Sequence, residues 1–248
     1  MILNRARWLD GPAATCGPVE SISHPYRLIL LGPPGVGKGT QADLLHRRLG
    51  ACHLSTGDVF RSAGKSEGEL SPAMKTATEY MRRGELVPDS TVWELVRERG
   101  GCLHCNGGFI LDGFPRTLSQ AHSLNQFLRE AGLMLSAVIN YQLPMVEIIN
   151  RLSGRRTCEV CKTVFHVTER PSKTVDTCDG CGGKLFQRDD DHSRSIQVRM
   201  EAYERSTAPL MEFYNQQGLL MSVPAAGSPD EICARTITQL SVRKSVLG

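Results

Sequence analysis

The stretch Leu28-Ile29-Leu30-Leu31-Gly32-Pro33-Pro34-Gly35-Val36-Gly37-Lys38-Gly39-Thr40 decides the fold. Four consecutive apolar residues stop at a glycine cluster, and a lysine follows where Ala42, Leu45 and Leu49 begin an apolar stripe at helical spacing. Strand, loop and helix are therefore expected in that order. Gly32, Gly35 and Gly37 leave the loop without β-carbons, so successive backbone N–H groups can curl around an anion while the helix N-terminus adds partial positive charge. Lys38 can then reach the outer phosphates as a mobile cation. This is a P-loop pattern with one departure: the position that usually carries Ser or Thr is Gly39. Without a hydroxyl there, Mg²⁺ is expected on phosphate oxygens and waters.

Around this stretch lies a chain of 248 residues, long enough for one large domain or two small ones. Apolar residues make up 40% and charged residues 22%, the texture of a globular protein. A net charge of +3 is too slight to argue for nucleic acid or a membrane as partner, so any positive field must come from local clustering. No run of about eighteen apolar residues suggests a membrane span. The first 26 residues hold Gly11, Pro12, Gly17, Pro18 and Pro25 and no apolar stretch fit for a secretory signal. A disordered or loosely docked extension is expected there, and a cytoplasmic location for the protein.

After the first helix, Cys52 to Ser55 suggests a short strand, and Ser55 or Thr56 an N-cap for the helix that holds Phe60 and Arg61. Residues 62 to 83 suggest short helices broken near Gly64, Gly68 and Pro72, and Val92, Leu95 and Val96 stripe the next helix. Gly108-Phe109-Ile110-Leu111-Asp112-Gly113-Phe114-Pro115-Arg116-Thr117 gives a second buried strand that ends in an acid and a tight turn. A helix from about Ser119 to Ala131 and a strand over Ala137–Leu143 follow. Leu219–Val223 closes the set of strands and Pro229–Val242 the set of helices. Strands alternating with helices indicate a parallel sheet flanked by helices, whose ligands bind beyond the carboxyl ends of the strands.

From Arg151 to Asp191 cysteine, glycine and β-formers replace the helical stripes, which suggests an inserted β module. Nine cysteines stand in the chain, and four of them form two C-x-x-C pairs, Cys158/Cys161 and Cys178/Cys181, with sixteen residues between. Two such knuckles complete a tetrahedron around Zn²⁺ at about 2.3 Å, with no open position left for catalysis. A structural zinc that staples a module too small for its own core is expected; an iron–sulfur centre and two labile disulfides are the alternatives. The other five, Cys16, Cys52, Cys102, Cys105 and Cys233, read as reduced and unconnected, which includes the lone Cys102-Leu-His-Cys105.

Two further patterns carry chemistry. Asp112 ends an apolar strand beside the phosphate loop, where a carboxylate can accept hydrogen bonds from Mg²⁺-bound water. Arginines recur on nearly every segment expected at the rim: Arg61, Arg116, Arg151, Arg155, Arg156, Arg188 and Arg199. Transfer between two polyanions needs such a set, because guanidinium groups neutralise both without deprotonating. If the acceptor is a phosphate, its attacking oxygen is already anionic and no catalytic base is required.

Gly-Lys-Gly-Thr in place of Gly-Lys-Ser/Thr resembles the nucleoside-monophosphate kinases. With Ser55-Thr56-Gly57-Asp58, Asp112-Gly113-Phe114-Pro115-Arg116-Thr117 and Gln187-Arg188-Asp189-Asp190-Asp191, the chain resembles the adenylate kinase family, in its long-lid form with a zinc-bearing lid, over roughly residues 27 to 242. That resemblance implies an α/β fold with a parallel five-stranded sheet, a helical AMP-binding insert and a zinc-stapled β lid. It implies ATP + AMP ⇌ 2 ADP with Mg²⁺, in a monomer. The implied division is an extension at 1–26, a core at 27–54, 85–153 and 192–248, an AMP-binding insert at 55–84 and a lid at 154–191.

Carried over by position, the resemblance places ATP on Gly35, Val36, Gly37, Lys38, Gly39 and Thr40, on Arg151 against the adenine, on Arg155, Val164 and Phe165 of the lid, and near Gly227. It places AMP among Thr56, Arg61, Glu85, Leu86, Val87, Gly113, Phe114, Pro115 and Arg116, with Gln120 reading the purine edge. Lys38, Arg116, Arg155, Arg188 and Arg199 are then the catalytic cations, Arg188 and Arg199 reaching AMP as well, and Asp190 and Asp191 pair with lid arginines on closure. His192-Ser193-Arg194-Ser195 departs from the acidic continuation common in the family, and the Gly100–Asn106 loop is longer than usual. Two rivals remain open on sequence: a kinase of another nucleoside monophosphate or a GTP:AMP phosphotransferase, and a nucleotide-gated binding protein that grips nucleic acid with its zinc module. Against the last stand Glu159, Glu169, Asp176 and Asp179, which offset the module's lysines.

Overall fold

Strand β1 (Tyr26–Leu31) runs along the middle of a five-stranded parallel sheet of order β2-β3-β1-β4-β8, with β2 Cys52–Ser55, β3 Gly108–Asp112, β4 Ala137–Gln142 and β8 Leu220–Pro224. The computed structural model describes residues 25–63, 72–98 and 103–247. The expected breaks at Gly64 and Gly68, Cys16, Cys102, and all but the last two residues of the expected extension lie outside them. Tyr26, assigned to that extension, is already in the sheet, because it pairs with Gly108 of β3.

Alternation along each strand divides the core in two. Ile29, Leu31, Phe109, Leu111 and Val138 face one layer, while Leu28, Leu30, Ile110, Ala137 and Ile139 face the other. Both faces are covered by helices, which explains why β1 is an unbroken apolar run rather than an alternating one. On the second face pack α1 (Lys38–Leu49), through Ala42 and Leu45, and the closing helix 229–247, through Ile232, Cys233 and Leu240. On the first face lie α2 (Thr56–Ala63), α3 (Pro72–Arg83), α4 (Asp89–Glu98) and α5 (Leu118–Glu130). The stripe Val92, Leu95 and Val96 is buried there as its spacing predicts. Thr117 caps α5, its side-chain oxygen accepting from the Gln120 backbone N–H, so the helix begins at Leu118.

Helix α6 (Met145–Ser153) leads into a separate antiparallel sheet of order β6-β5-β7, made of β5 Arg155–Cys158, β6 Val164–His166 and β7 Leu185–Phe186. Its only buried apolar cluster among the described residues is Cys158, Phe165, Cys178 and Leu185. The chain returns through a 3₁₀ turn at Asp189–Asp191 into α7 (Ser193–Ala202), a π-helical turn at Tyr203–Thr207 and α8 (Pro209–Gln216). After β8, α9 (Pro229–Leu247) completes the fold. No helix among the described residues is long and apolar enough to cross a membrane.

Phe109 sits fully buried on β3 between its two neighbours in the sheet. Phe109→Ala is expected to lower stability by about 3–5 kcal/mol, read as a lower denaturation midpoint at unchanged slope; a loss under about 1 kcal/mol would contradict its place in the core.

Candidate functional site

The loop after β1 is shaped by what its glycines make room for. Gly35 has φ +83°, and a β-carbon there would meet the Leu152 side chain of α6 at 2.6 Å. Gly37, at φ 104°, caps α1 without any side-chain hydrogen bond, so the first backbone N–H groups of the helix stay available to an anion. Lys38 Nζ donates to the Gly32 and Pro33 carbonyls at 2.6 and 2.9 Å. Burial pushes the Lys38 ammonium down to about 7, against the pull of Asp112. A phosphate anion at the loop reverses that pressure.

Above the loop is a cavity of about 410 Å³ at the carboxyl ends of the strands. The whole loop from Gly35 to Thr40 lines it. So do Arg116 from the β3–α5 turn, Arg155 from β5, Arg188 before the 3₁₀ turn and Arg199 from α7, with Arg61 from α2 and Arg151 from α6. The cations press on one another. Burial, then Arg199, push Arg116 down to about 10, and burial, then Arg61 and Arg155, push Arg188 well down. A site in this state attracts polyanions.

Each guanidinium is aimed by a partner in the surrounding chain. Arg188 Nε donates to Thr157 Oγ1 at 2.9 Å, Arg116 Nε to the Gly113 carbonyl at 2.9 Å, and Arg61 pairs with Asp58. Arg155 is bidentate on Asp191, with Nε to Oδ2 at 2.7 Å. Arg199 Nη1 reaches the Asp190 carbonyl at 2.7 Å, Asp191 Oδ1 at 3.0 Å and Asp190 Oδ2 at 3.1 Å. Asp191 thus ties the small sheet to α7, and Asp190 adds to its hold on Arg199. Burial pushes the Asp190 carboxyl up, but Arg199, Arg61, Arg155 and Arg188 outweigh it and hold the group well below the usual carboxylate range.

Asp112 ends β3 on the cavity wall, level with Leu30 of β1 and Ser55 of β2. His53 stands behind it, with Nδ1 3.0 Å from Asp43 and Nε2 3.5 Å from Asp112. Burial raises the Asp112 carboxyl, yet the hydrogen bond and charge of His53, together with Lys38, keep it low and ionised. At the other end Arg151 donates to the Val36 and Ala225 carbonyls at 3.3 and 3.1 Å, facing a wall that includes Val164, Phe165 and Gly227.

The acceptor set divides. Leu86, Gly113 and Pro115 join Arg61 and Arg116 on the wall, whereas Thr56, Glu85, Val87, Phe114 and Gln120 do not line it. Thr56 is buried and donates to the Gly113 carbonyl at 3.0 Å, Glu85 pairs with Arg83 at 2.8 Å, and Val87 and Phe114 pack in the core. Gln120 is buried just behind Arg116, whose backbone N–H it accepts at 2.7 Å. Sequence reasoning gave no site role to Asp58, His166, Glu169 or Arg170, all on the wall. Asp58 had a signal in its position after Gly57; the other three come from a hairpin whose sequence says nothing of the direction it faces.

The four cysteines of the small sheet come together, all four sulfurs lying within 4.8 Å of one another. Cys158–Cys181 and Cys161–Cys178 are each 3.5 Å apart, near the roughly 3.8 Å edge of a tetrahedron with metal–sulfur bonds of about 2.3 Å. A β-carbon on Gly183 would meet the Cys158 sulfur at 2.9 Å, so the second knuckle closes only with glycine there. Four sulfur donors and no fifth group suit a closed thiolate site for a structural metal.

The adenylate kinase family model matches residues 30–219. Among curated relatives, the chain is 45% identical over 208 residues to an adenylate kinase of Carboxydothermus hydrogenoformans, covering 84% of this chain and 96% of that one. It is 47% identical over 195 residues to that of Caldicellulosiruptor bescii, covering 79% and 89%, and 43% identical over 215 residues to that of Streptomyces coelicolor, covering 86% and 98%.

Since the Asp190 carboxyl sits below its unfolded value of about 3.9, the stability it contributes is complete above that value and lost as pH falls through the folded one. Thermal midpoints between pH 6 and pH 3 are expected to drop more steeply for the natural protein than for Asp190→Asn; parallel curves would contradict the assignment.

Proposed function

The chain belongs to the adenylate kinase family, phosphotransferases with a phosphate group as acceptor, and we propose the following roles for its residues in ATP + AMP ⇌ 2 ADP. The observation that carries the proposal is the meeting of Lys38, Arg116, Arg155, Arg188 and Arg199, from five separate segments, on one cavity over the glycine loop. The loop from Gly35 to Thr40 binds the donor phosphates and Lys38 follows the moving phosphoryl group. Arg151, Val164, Phe165 and Gly227 hold the donor adenine, while Arg61, Leu86, Gly113, Pro115 and Arg116 hold the acceptor, with Thr56, Glu85, Val87, Phe114 and Gln120 behind or beside them.

An AMP phosphate oxygen attacks the terminal phosphorus of ATP, the bond to the bridging oxygen breaks, and ADP leaves as the second ADP forms. The nucleophile is already an anion, so no side chain need remove a proton. Repulsion between the two nucleotides is overcome by the arginines, which are aimed before substrate arrives and so need little reorganisation. Adenylate kinases use Mg²⁺ with ATP, and ionised Asp112 is placed to accept from the ion's waters. The ion adds positive charge at the phosphates when bound.

The same proposal divides the chain into a core, an AMP-binding insert at 55–84 and a lid at 154–191 that Asp190 and Asp191 fasten through Arg155 and Arg199. Zinc on Cys158, Cys161, Cys178 and Cys181 compensates for the lid's small apolar cluster. The monomer that the family resemblance implies is part of the same proposal. A cytoplasmic location is proposed with it, since five of the nine cysteines stand outside the two C-x-x-C pairs and form no disulfide framework in the sequence pattern.

A coupled assay with ATP and AMP is expected to give ADP, and its absence would reject the activity. Lys38→Ala should lower turnover by about two orders of magnitude or more at unchanged fold; near-normal turnover would contradict its role. Metal analysis of protein prepared without added metal should find one zinc per chain, and its removal should lower the thermal midpoint; a metal-free protein of unchanged midpoint would overturn the structural zinc.

A further inference from the structure

Gln120 sits in a ring of hydrogen bonds whose direction is fixed at every member. Its Nε2 donates to Asp89 Oδ1 at 2.6 Å and its Oε1 accepts from the Arg116 backbone N–H at 2.7 Å. Its own backbone N–H donates to Thr117 Oγ1 at 3.2 Å, and that hydroxyl passes its proton side to Asp89 Oδ2 at 2.8 Å. Asp89 opens α4, some thirty residues before Gln120 in sequence, so the ring joins two elements that only the fold brings together.

A carboxylate only accepts, and a backbone N–H only donates. Turning the Gln120 amide over would set its oxygen against Asp89 and its NH₂ against the Arg116 N–H, losing two part-buried hydrogen bonds and creating two like-dipole contacts. The amide therefore has one orientation, with one Nε2 proton and one Oε1 lone pair not engaged by this ring. A 6-amino purine edge is their complement: N1 accepts and the exocyclic amine donates. A 6-oxo purine has both reversed, with N1–H donating and O6 accepting.

We propose that Asp89 is a specificity-determining positioning residue, which sets the preference for a 6-amino over a 6-oxo purine monophosphate by fixing the orientation of the Gln120 amide. The proposal rests on the assignment of Gln120 to the acceptor purine. Asp89 itself touches no substrate; it acts through Gln120 and through the Thr117 hydroxyl that orders its second oxygen. With an amide at position 89, which can donate or accept, only the Arg116 N–H still opposes the flipped Gln120 amide, so that orientation loses one of its two penalties.

The test compares kcat/KM for AMP and for IMP, with ATP as donor, in the natural protein, Asp89→Asn, Asp89→Ser and Gln120→Leu, each checked for fold by thermal unfolding. Asp89→Asn is expected to reduce the AMP-over-IMP ratio by about tenfold or more, with IMP gaining, since sites built on directed hydrogen bonds discriminate by at least that much. Asp89→Ser should reduce it too and stands in if the first variant fails to fold. A merely structural role would weaken both substrates equally, and an unchanged ratio in folded variants overturns the proposal. If the ratio is unchanged in the Asp89 variants while Gln120→Leu abolishes it, the lock fails and the purine assignment stands. If Gln120→Leu itself leaves the ratio and the KM for AMP unchanged, the purine assignment fails and the proposal with it.

Discussion

Mutual repulsion among cations that crowd one cavity is the constraint on which the rest of this structure depends. Lys38, Arg61, Arg116, Arg155, Arg188 and Arg199 share one cavity, and burial and mutual charge press the protonated forms of Lys38, Arg116 and Arg188 toward lower pKa. Such a cluster holds only if anions lie close by. Within the chain these are Asp58, Asp112, Asp190 and Asp191, each in contact with a member of the cluster or an aromatic base behind it. What they leave uncompensated is the field that draws two nucleotides together.

The sheet serves that arrangement by ending its strands at one edge. Leu30 stands level with Asp112, and Asp112 with Ser55, so the glycine loop, Asp112 and the start of α2 emerge side by side. Helices on both faces bury the strands and leave only their carboxyl ends to function. The small sheet contributes Arg155 from above but has four residues in its apolar cluster, and so it leans on a thiolate cluster for its own shape and on Asp191 for its position.

Specificity follows another logic, that of direction rather than charge. The Asp89–Thr117–Gln120–Arg116 ring surrounds a buried amide, is neutral in its bonding groups apart from one carboxylate, and each bond in it has a defined donor. Where the arginines accept any phosphate, this ring admits one hydrogen-bond polarity.

The sequence by itself determined the five strands of the parallel sheet, the phosphate loop and the thiolate spacing, because each rests on local periodicity or on residues a few positions apart. Apolar runs at Leu28–Leu31 and Phe109–Leu111 and the pairs Cys158/Cys161 and Cys178/Cys181 are legible without a fold. Tyr26 in the first strand was not, since only its pairing with Gly108 puts it there. Nor were His53 behind Asp112, Arg170 on the cavity wall, or Asp89 beneath Gln120, whose partners are distant in sequence and whose residue types are ordinary on any surface. Tertiary structure decided which of the arginines converge and which way an amide points, because distance and hydrogen-bond direction exist only once separate elements have packed.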